Sequence, residues 1–273
     1  MAIITISRQF GSKGDEICAA LAKKLGYKLI DHEYIRQKIL DLGFPLKKLD
    51  KFDGKNLSFF SNLSKYRDEY LYYLKTAVLS AADKDNCVIV GRGSFIILQD
   101  IANCVSFRIL EPKKLRIDRV MKKFALSEKA ATKKVCKEDR HQIGFHMNFF
   151  GFKLHTPFFF QGIYNSGDSD VGPIVDSIIG YTQAYSTEER QKKAKEQLND
   201  LLLGQSIVNM LVFTYSININ SFRAEVENKK IILYGISSSN GEVKRAIELL
   251  NCEVPGYEVE SRIHIVQDSM ANR

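Results

Sequence analysis

The sequence predicts an α/β fold, a parallel sheet with helices on both faces, followed by a small α+β unit. Three observations predict it. Short apolar, β-branched runs alternate with helix-period segments over Ala2–Tyr185. A glycine turn, Gly11-Ser12-Lys13-Gly14, lies between the first run and the first helical segment. Beyond residue 204 the pattern changes to helix, two alternating strands, helix and strand.

Ala2–Ile6 is apolar and β-branched, as a buried strand is. Glu16–Leu25 carries Ile17, Leu21, Ala22 and Leu25 at helical spacing, and Gly26 stops it. Tyr27–Ile30 is a short strand, and Asp31 begins a helix with Tyr34, Ile35, Ile39 and Leu40 periodic. Pro45–Ser58 is polar and turn-rich and reads as a mobile loop. Asn62–Ala82 is a long amphipathic helix, ended before Asn86. Cys87–Val90 is an apolar strand running into Gly91-Arg92-Gly93, and Cys104–Leu110 is another. Pro112 suits the first turn of a helix, and Ser127 with Glu128 starts the next. Gly144–Phe160 is rich in Phe, Gly and His without periodicity and reads as an ordered aromatic loop. Gln161–Tyr164 is a last short strand and Pro173–Tyr185 a closing helix. In such sheets ligands bind beyond the carboxyl ends of the strands. The glycine turn, Asp31 and Gly91-Arg92-Gly93 all fall there, which predicts one shared cleft.

Ser186–Lys195 is charged and polar, and residues 186–204 read as a helical junction. Gln205–Val212 is helical. Phe222–Glu227 and Lys230–Ile236 alternate around an Asn228-Lys229 turn, a hairpin signature. Gly241–Leu250 places Val243, Ala246, Ile247 and Leu250 on one helical face, and Val259–Val266 is the final strand.

Composition excludes several classes. The 273 residues are 45% apolar, enough for a core, yet no run is long enough to span a bilayer. The first residues, MAIITISRQF, lack the pattern of a signal peptide. Five scattered cysteines without C-x-x-C argue against a disulfide framework or a zinc site, so a reducing cytoplasm is expected. Net charge is +8, and Pro112–Arg140 alone holds eleven Lys/Arg against four Asp/Glu. Such concentration suggests an anionic ligand; a solvated helical face is the alternative.

Strand, glycine turn and helix is the layout of a phosphate-binding loop, in which backbone N–H groups and a helix N-terminus face phosphate oxygens. The familiar pattern ends Gly-Lys-Ser/Thr. Here Gly14 takes the place of that Lys, and Asp15 and Glu16 fall where Ser/Thr would hold Mg²⁺. An ordinary strand–helix turn is the alternative. Arg92 between two glycines is a candidate for bidentate phosphate binding or a surface loop residue. Asp31 is a candidate acceptor-site contact or a helix N-cap. Arg116 and Arg119 share a helical face, and Arg140 ends the next helix. His141, His146 and His155 are read as packing or surface residues rather than metal ligands. Phe158-Phe159-Phe160 reads as core or loop anchoring, with a face for a second subunit as the alternative.

Four segments in order, "IITISRQFGSKGDEICAALAKKLGYKLIDHEYI", "CVIVGRG", "VSFRILEPKKLRIDRVMKKFALSEKAATKKVCKEDR" and "PFFFQGIYNS", resemble the cytidylate kinase-like family, a branch of P-loop nucleoside monophosphate kinases. The resemblance covers residues 1–185. It implies ATP and Mg²⁺ as cofactors and phosphoryl transfer to a nucleoside monophosphate, CMP or dCMP. It also implies Arg8, Arg116, Arg119 and Arg140 as catalytic cations and Gly11, Ser12, Lys13, Gly14, Asp15 and Glu16 as the ATP-phosphate loop. Asp31 and Arg92 would bind the acceptor. The whole family lacks the P-loop Lys, but this chain departs further, with Lys13 for a Gly and Asp15 for an Arg. Residues 205–268 resemble a BON domain in element order, with Gly235 and Gly256 at its glycine positions. That implies a lipid or small ligand for the C-terminal unit. Two alternatives stay open: a nucleotide-binding sensor without turnover, motivated by Asp15 and the displaced Lys13, and a nucleic-acid-binding protein, ranked last because no reading motif is present.

Overall fold

Four-to-seven-residue runs of Ile, Val and Phe cannot bury both faces alone; they assemble into a parallel sheet whose two faces helices cover. The computed structural model describes residues 2–53, 64–84, 86–153 and 156–266. Strands β1 (Ile3–Arg8), β2 (Lys28–Ile30), β3 (Cys87–Val90), β4 (Cys104–Leu110) and β5 (Gly162–Asn165) form one sheet in the order β2-β3-β1-β4-β5, parallel throughout. The central strand β1 pairs Ile3 with both Cys87 and Cys104. Alternation then sends Ile4 and Ile6 to one face and Ile3 to the other.

On the first face, Ile4, Ile6, Val88, Val90, Val105, Phe107 and Ile109 pack on α1 (Gly14–Leu25) and on the helix Val171–Tyr185, α8 below. On the second, Ile3, Ile89 and Cys87 pack on α2 (His32–Asp41), α3 (Leu46–Asp53) and α4 (Ser64–Ala82). The short α5 (Ser94–Ile97) follows β3; α6 (Lys113–Phe124) and α7 (Glu128–Phe150) follow β4; α8 (Val171–Tyr185) follows β5. Ser127 caps α7 by accepting from the Ala130 amide, at the start the sequence predicts.

Three expectations are corrected. Pro45–Ser58 is not wholly loop: Leu46–Asp53 is helical because Leu49 and Phe52 bury against Phe44 and Tyr70. Residues 54–58 and the expected helix start at Asn62 lie outside the described residues. The aromatic loop begins later than expected. Helix α7 runs through Gly144 to Phe150 and ends at left-handed Gly151, because Phe145 and Phe149 insert into the core beside Tyr70. The expected helix Gln205–Val212 is not separate from the helical segment before it: both lie in α9 (Glu188–Asn209), which continues into a π turn over Met210–Thr214.

Helix α9 puts Ala194 and Leu198 into the large core and Ile207 and Val208 into the C-terminal one. There β6 (Asn220–Glu227), β7 (Lys230–Ser237) and β8 (Glu258–Ile265) form a three-stranded sheet, antiparallel then parallel, covered by α10 (Asn240–Glu253). Asn228 and Lys229 have φ of 50° and 59°, the left-handed pair a tight hairpin turn needs. Tyr72 of α4 belongs to this second core and its hydroxyl accepts from the Phe222 amide at 3.0 Å. Among the described residues no helix is long and apolar enough to cross a membrane.

Candidate functional site

The loop between β1 and α1 is built on close approach. A Cβ on Gly14 would stand 2.5 Å from the Arg8 Cβ. No side chain fits at the position where a P-loop Lys is expected, so the helix start lies directly on the strand end. The Ser12 hydroxyl accepts from the Gly14 amide at 3.2 Å and donates to the Gln9 carbonyl at 2.8 Å. The Ser12 amide also bonds Gln9. Two loop amides are therefore satisfied internally. Among the described residues, those of Gly11, Lys13, Asp15 and Glu16 have no protein acceptor, and they crown the positive end of the α1 dipole. Lys13 turns aside: its Nζ donates to the Ser169 carbonyl at 3.2 Å and lies 3.8 Å from Asp170.

Arg8 takes the centre. Its Nε donates to Asp15 Oδ1 at 2.9 Å, which offsets the carboxylate that the helix N-terminus carries. Its Nη1 lies 2.9 Å from where a Gly91 Cβ would stand, so a side chain there would push the guanidinium aside. Gly91, Arg92 and Gly93 all adopt left-handed φ, of 72°, 54° and 69°. For Arg92 this costs about 1 kcal/mol or more, strain of a kind that collects at binding sites. The turn directs the Arg92 guanidinium over the Phe145 ring at 5.6 Å.

Two adjoining cavities open here. One, about 250 Å³, is lined by Arg8, Arg92, His32, Gln142, Phe145 and His146, among others. The other, about 290 Å³, is lined by Arg8, Asp15, Asp31, His32 and Glu33, with Cys18 at its base. Arg8, His32 and Val90 line both. Asp31 also caps α2, accepting from the Tyr34 amide at 2.8 Å, so the cap and the cavity wall are one residue. Burial pushes the Cys18 thiol up to about 12, which keeps it protonated.

The arginines of α6 stand outside these cavities. Arg116 is buried and bidentate to Asp139 at 2.8 and 2.9 Å, with further bonds to the Phe10 and Glu111 carbonyls. Arg119 donates to the Gly11 carbonyl at 2.6 Å and pairs with the buried Glu111, whose hydrogen bond holds the guanidinium pKa above its usual value. Both brace the glycine loop against the α6–α7 pair. Arg140 is on the exposed side of α7, its Nε on the Cys136 carbonyl at 3.3 Å. Glu16 lies near enough to Arg119 to raise its pKa.

Several contributors escape a reading of motifs. Gln142 donates to the Arg8 carbonyl at 3.1 Å, tying α7 to β1. His146 is buried, stacks on Phe95 at 5.6 Å, and donates from Nδ1 to the Gln142 carbonyl at 2.7 Å. Burial holds its pKa below the usual imidazole range, so the ring is neutral. Among the described residues Nε2 then has no hydrogen-bond partner, and neither does the buried Ser94 hydroxyl beside the Gly91-Arg92-Gly93 turn. A period-3.6 pattern through residue 150, with Gln142, Phe145, His146 and Phe149 on one face, was the available signal. His155 lies outside the described residues. Among the described residues no cluster of His, Cys, Asp or Glu forms a ready metal site. Phe159 and Phe160 pack on Phe95, whereas Phe158 is 92% exposed.

A solved structure of an uncharacterized protein from Eubacterium ventriosum is similar at 25% identity and TM-score 0.54, covering 67% of this chain and 98% of that one. Shikimate kinase from Bacteroides thetaiotaomicron is similar at 13% identity and TM-score 0.41, over 67% of this chain and 97% of that one. A gluconokinase from Sinorhizobium meliloti is similar at 10% identity and TM-score 0.39, over 67% and 92%. No curated protein matches the sequence. The model of the cytidylate kinase-like family matches residues 3–167, more than half of the chain, and the glycine loop, Arg8 and the Gly91-Arg92-Gly93 turn all lie within it; the chain belongs to the cytidylate kinase-like family.

Proposed function

We propose that the chain transfers a phosphoryl group from ATP to a nucleoside monophosphate, CMP or dCMP, across the two adjoining cavities. One observation carries the reading: Arg8 lines both cavities and reaches the loop helix through Asp15 and the acceptor-side turn at Gly91. Phosphoryl transfer demands positioning and charge neutralisation more than covalent chemistry. Arg8 supplies the cation at the transferred group and Arg92 grips the acceptor phosphate. The unbonded amides of Gly11, Lys13, Asp15 and Glu16 receive the donor phosphates. Arg116 and Arg119 hold that loop in register, and Arg140 adds charge from the lid helix. Mg²⁺ takes one or two carboxylates and otherwise phosphates and water, which fits Glu16 at the loop, Asp15 being engaged by Arg8; it would offset phosphate charge there.

The acceptor preference rests on His146. A neutral imidazole with an unfilled Nε2 lone pair accepts a hydrogen bond, and the exocyclic amine of cytosine donates one, whereas uracil has a carbonyl there. For the C-terminal unit, residues 205–268, the α-β-β-α-β order supports a BON-like ligand-binding role beside a kinase unit over residues 1–185. The test is ADP formation by the purified chain with ATP, Mg²⁺ and each common nucleoside monophosphate. Turnover with CMP or dCMP above the others is expected. ATP binding without turnover for any acceptor would turn the reading into that of a sensor.

A further inference from the structure

A third cavity, about 340 Å³, lies between α4, the C-terminal end of α7 and β6. Arg67 and Lys75 of α4 and Arg223 of β6 line it, against a single carboxylate, Asp68. That carboxylate is already used. It accepts from the Ser221 amide at 2.8 Å and from Arg67 at 3.2 Å. Lys75 has no hydrogen bond or ion pair among the described residues. It is half-buried, and burial together with the Arg223 charge holds its pKa below the usual lysine value. Arg223 comes no nearer than 3.8 Å to Glu225, both side chains more than half exposed, a pair worth little. Its guanidinium lies over the Tyr234 ring at 4.3 Å.

Lys75 and Arg223 thus stand together at a cavity whose one lining carboxylate, Asp68, already accepts from Arg67 and the Ser221 amide. The Arg223 charge opposes that of Lys75, and an anion between the two would offset the repulsion. The backbone is also shaped there. Register shifts between Asn220 and Arg223, and Ser221 adopts a φ of 50°. That bulge turns the Ser221 amide onto Asp68 and brings Arg223 to the rim. Leu71, Met147 and Phe149 supply apolar wall.

We propose that this interdomain cavity binds a phosphate-type dianion, a diphosphate or phosphomonoester, through Lys75 and Arg223, with Asp68 holding Arg67 in place beside them. The chemistry is shared by a free phosphorylated metabolite and a lipid headgroup. The full chain is titrated with inorganic pyrophosphate by calorimetry, as wild type, Arg8→Met, Lys75→Met and Arg223→Gln. One binding component should survive Arg8→Met, which disables the glycine-loop site, and weaken at least tenfold in Lys75→Met and in Arg223→Gln. Arg223 is exposed, so its variant remains informative should Lys75→Met misfold. Co-sedimentation with phosphatidylcholine vesicles, with and without phosphatidic acid, separates the sources. Capture only with phosphatidic acid assigns a headgroup, and pyrophosphate binding without capture assigns a soluble ligand. Binding unaffected by Lys75→Met and Arg223→Gln, or none left in Arg8→Met with no capture, overturns the proposal.

Discussion

Arg8 at the end of β1 donates to Asp15 in the first turn of α1 at 2.9 Å, so the residue that most opposes an anion is paired with the cation best placed to bind one. The Asp15 side chain is 70% exposed. A pair this open contributes roughly 0.2–1 kcal/mol. Asp15→Asn should therefore leave the urea midpoint almost unchanged and tighten ATP binding, because Arg8 is released and a negative charge leaves the helix N-terminus. Weaker ATP binding in calorimetry would mean that the carboxylate itself serves the nucleotide, through Mg²⁺.

Gly14 tests the close approach of strand and helix. Its substitution by Ala places a methyl 2.5 Å from the Arg8 Cβ. Backbone must move, at a cost of about 1–3 kcal/mol as for other overpacked sites. Urea unfolding should show that loss, and Gly14→Lys should not create a conventional P-loop. A Gly14→Ala variant of unchanged stability would disprove the tight contact.

Arg116 and Asp139 form the buried brace between α6 and α7. Asp139→Asn leaves a guanidinium that is 3% exposed without its counter-charge. The expected loss is about 3 kcal/mol, the lower end for a broken buried pair. A loss under about 1 kcal/mol in urea unfolding would class the pair with screened surface bridges.

His146 makes stability depend on pH. Its folded pKa lies below the ordinary 6.5 because burial disfavours the imidazolium. Below that ordinary value the unfolded chain binds the proton first, so the stabilisation is full above 6.5 and is lost as pH falls toward the folded pKa. Thermal midpoints should drop over that window in the wild type and drop less in His146→Phe. The same variant should lose preference for CMP over UMP in kcat/KM. Unaltered pH dependence and preference together would remove His146 from both roles.

The sheet and its order of elements were legible because strands buried on both faces are largely apolar runs, as Cys87–Val90 is throughout and Cys104–Leu110 is apart from Ser106 and Arg108. Caps were legible too, since Asp31 and Ser127 act through local bonds. What tertiary packing decides was not. The last turns of α7 and the helix Leu46–Asp53 are held by aromatic contacts among Phe52, Tyr70 and Phe149. Charge type was legible, but the partner of each charge was not. Arg8, Arg92, Asp15 and Asp31 gather at the cavities, while Arg116 and Arg119 turn to Asp139 and Glu111, acceptors that no local spacing marks.

The most direct measurement compares steady-state ADP formation from ATP and CMP in the wild type and in Arg8→Met, with folding confirmed by urea unfolding. The account predicts CMP-dependent turnover in the wild type and a fall in kcat of about 10²–10³, or about 2.7–4 kcal/mol, on loss of a preorganised transition-state contact. Equal turnover by a folded Arg8→Met would contradict it.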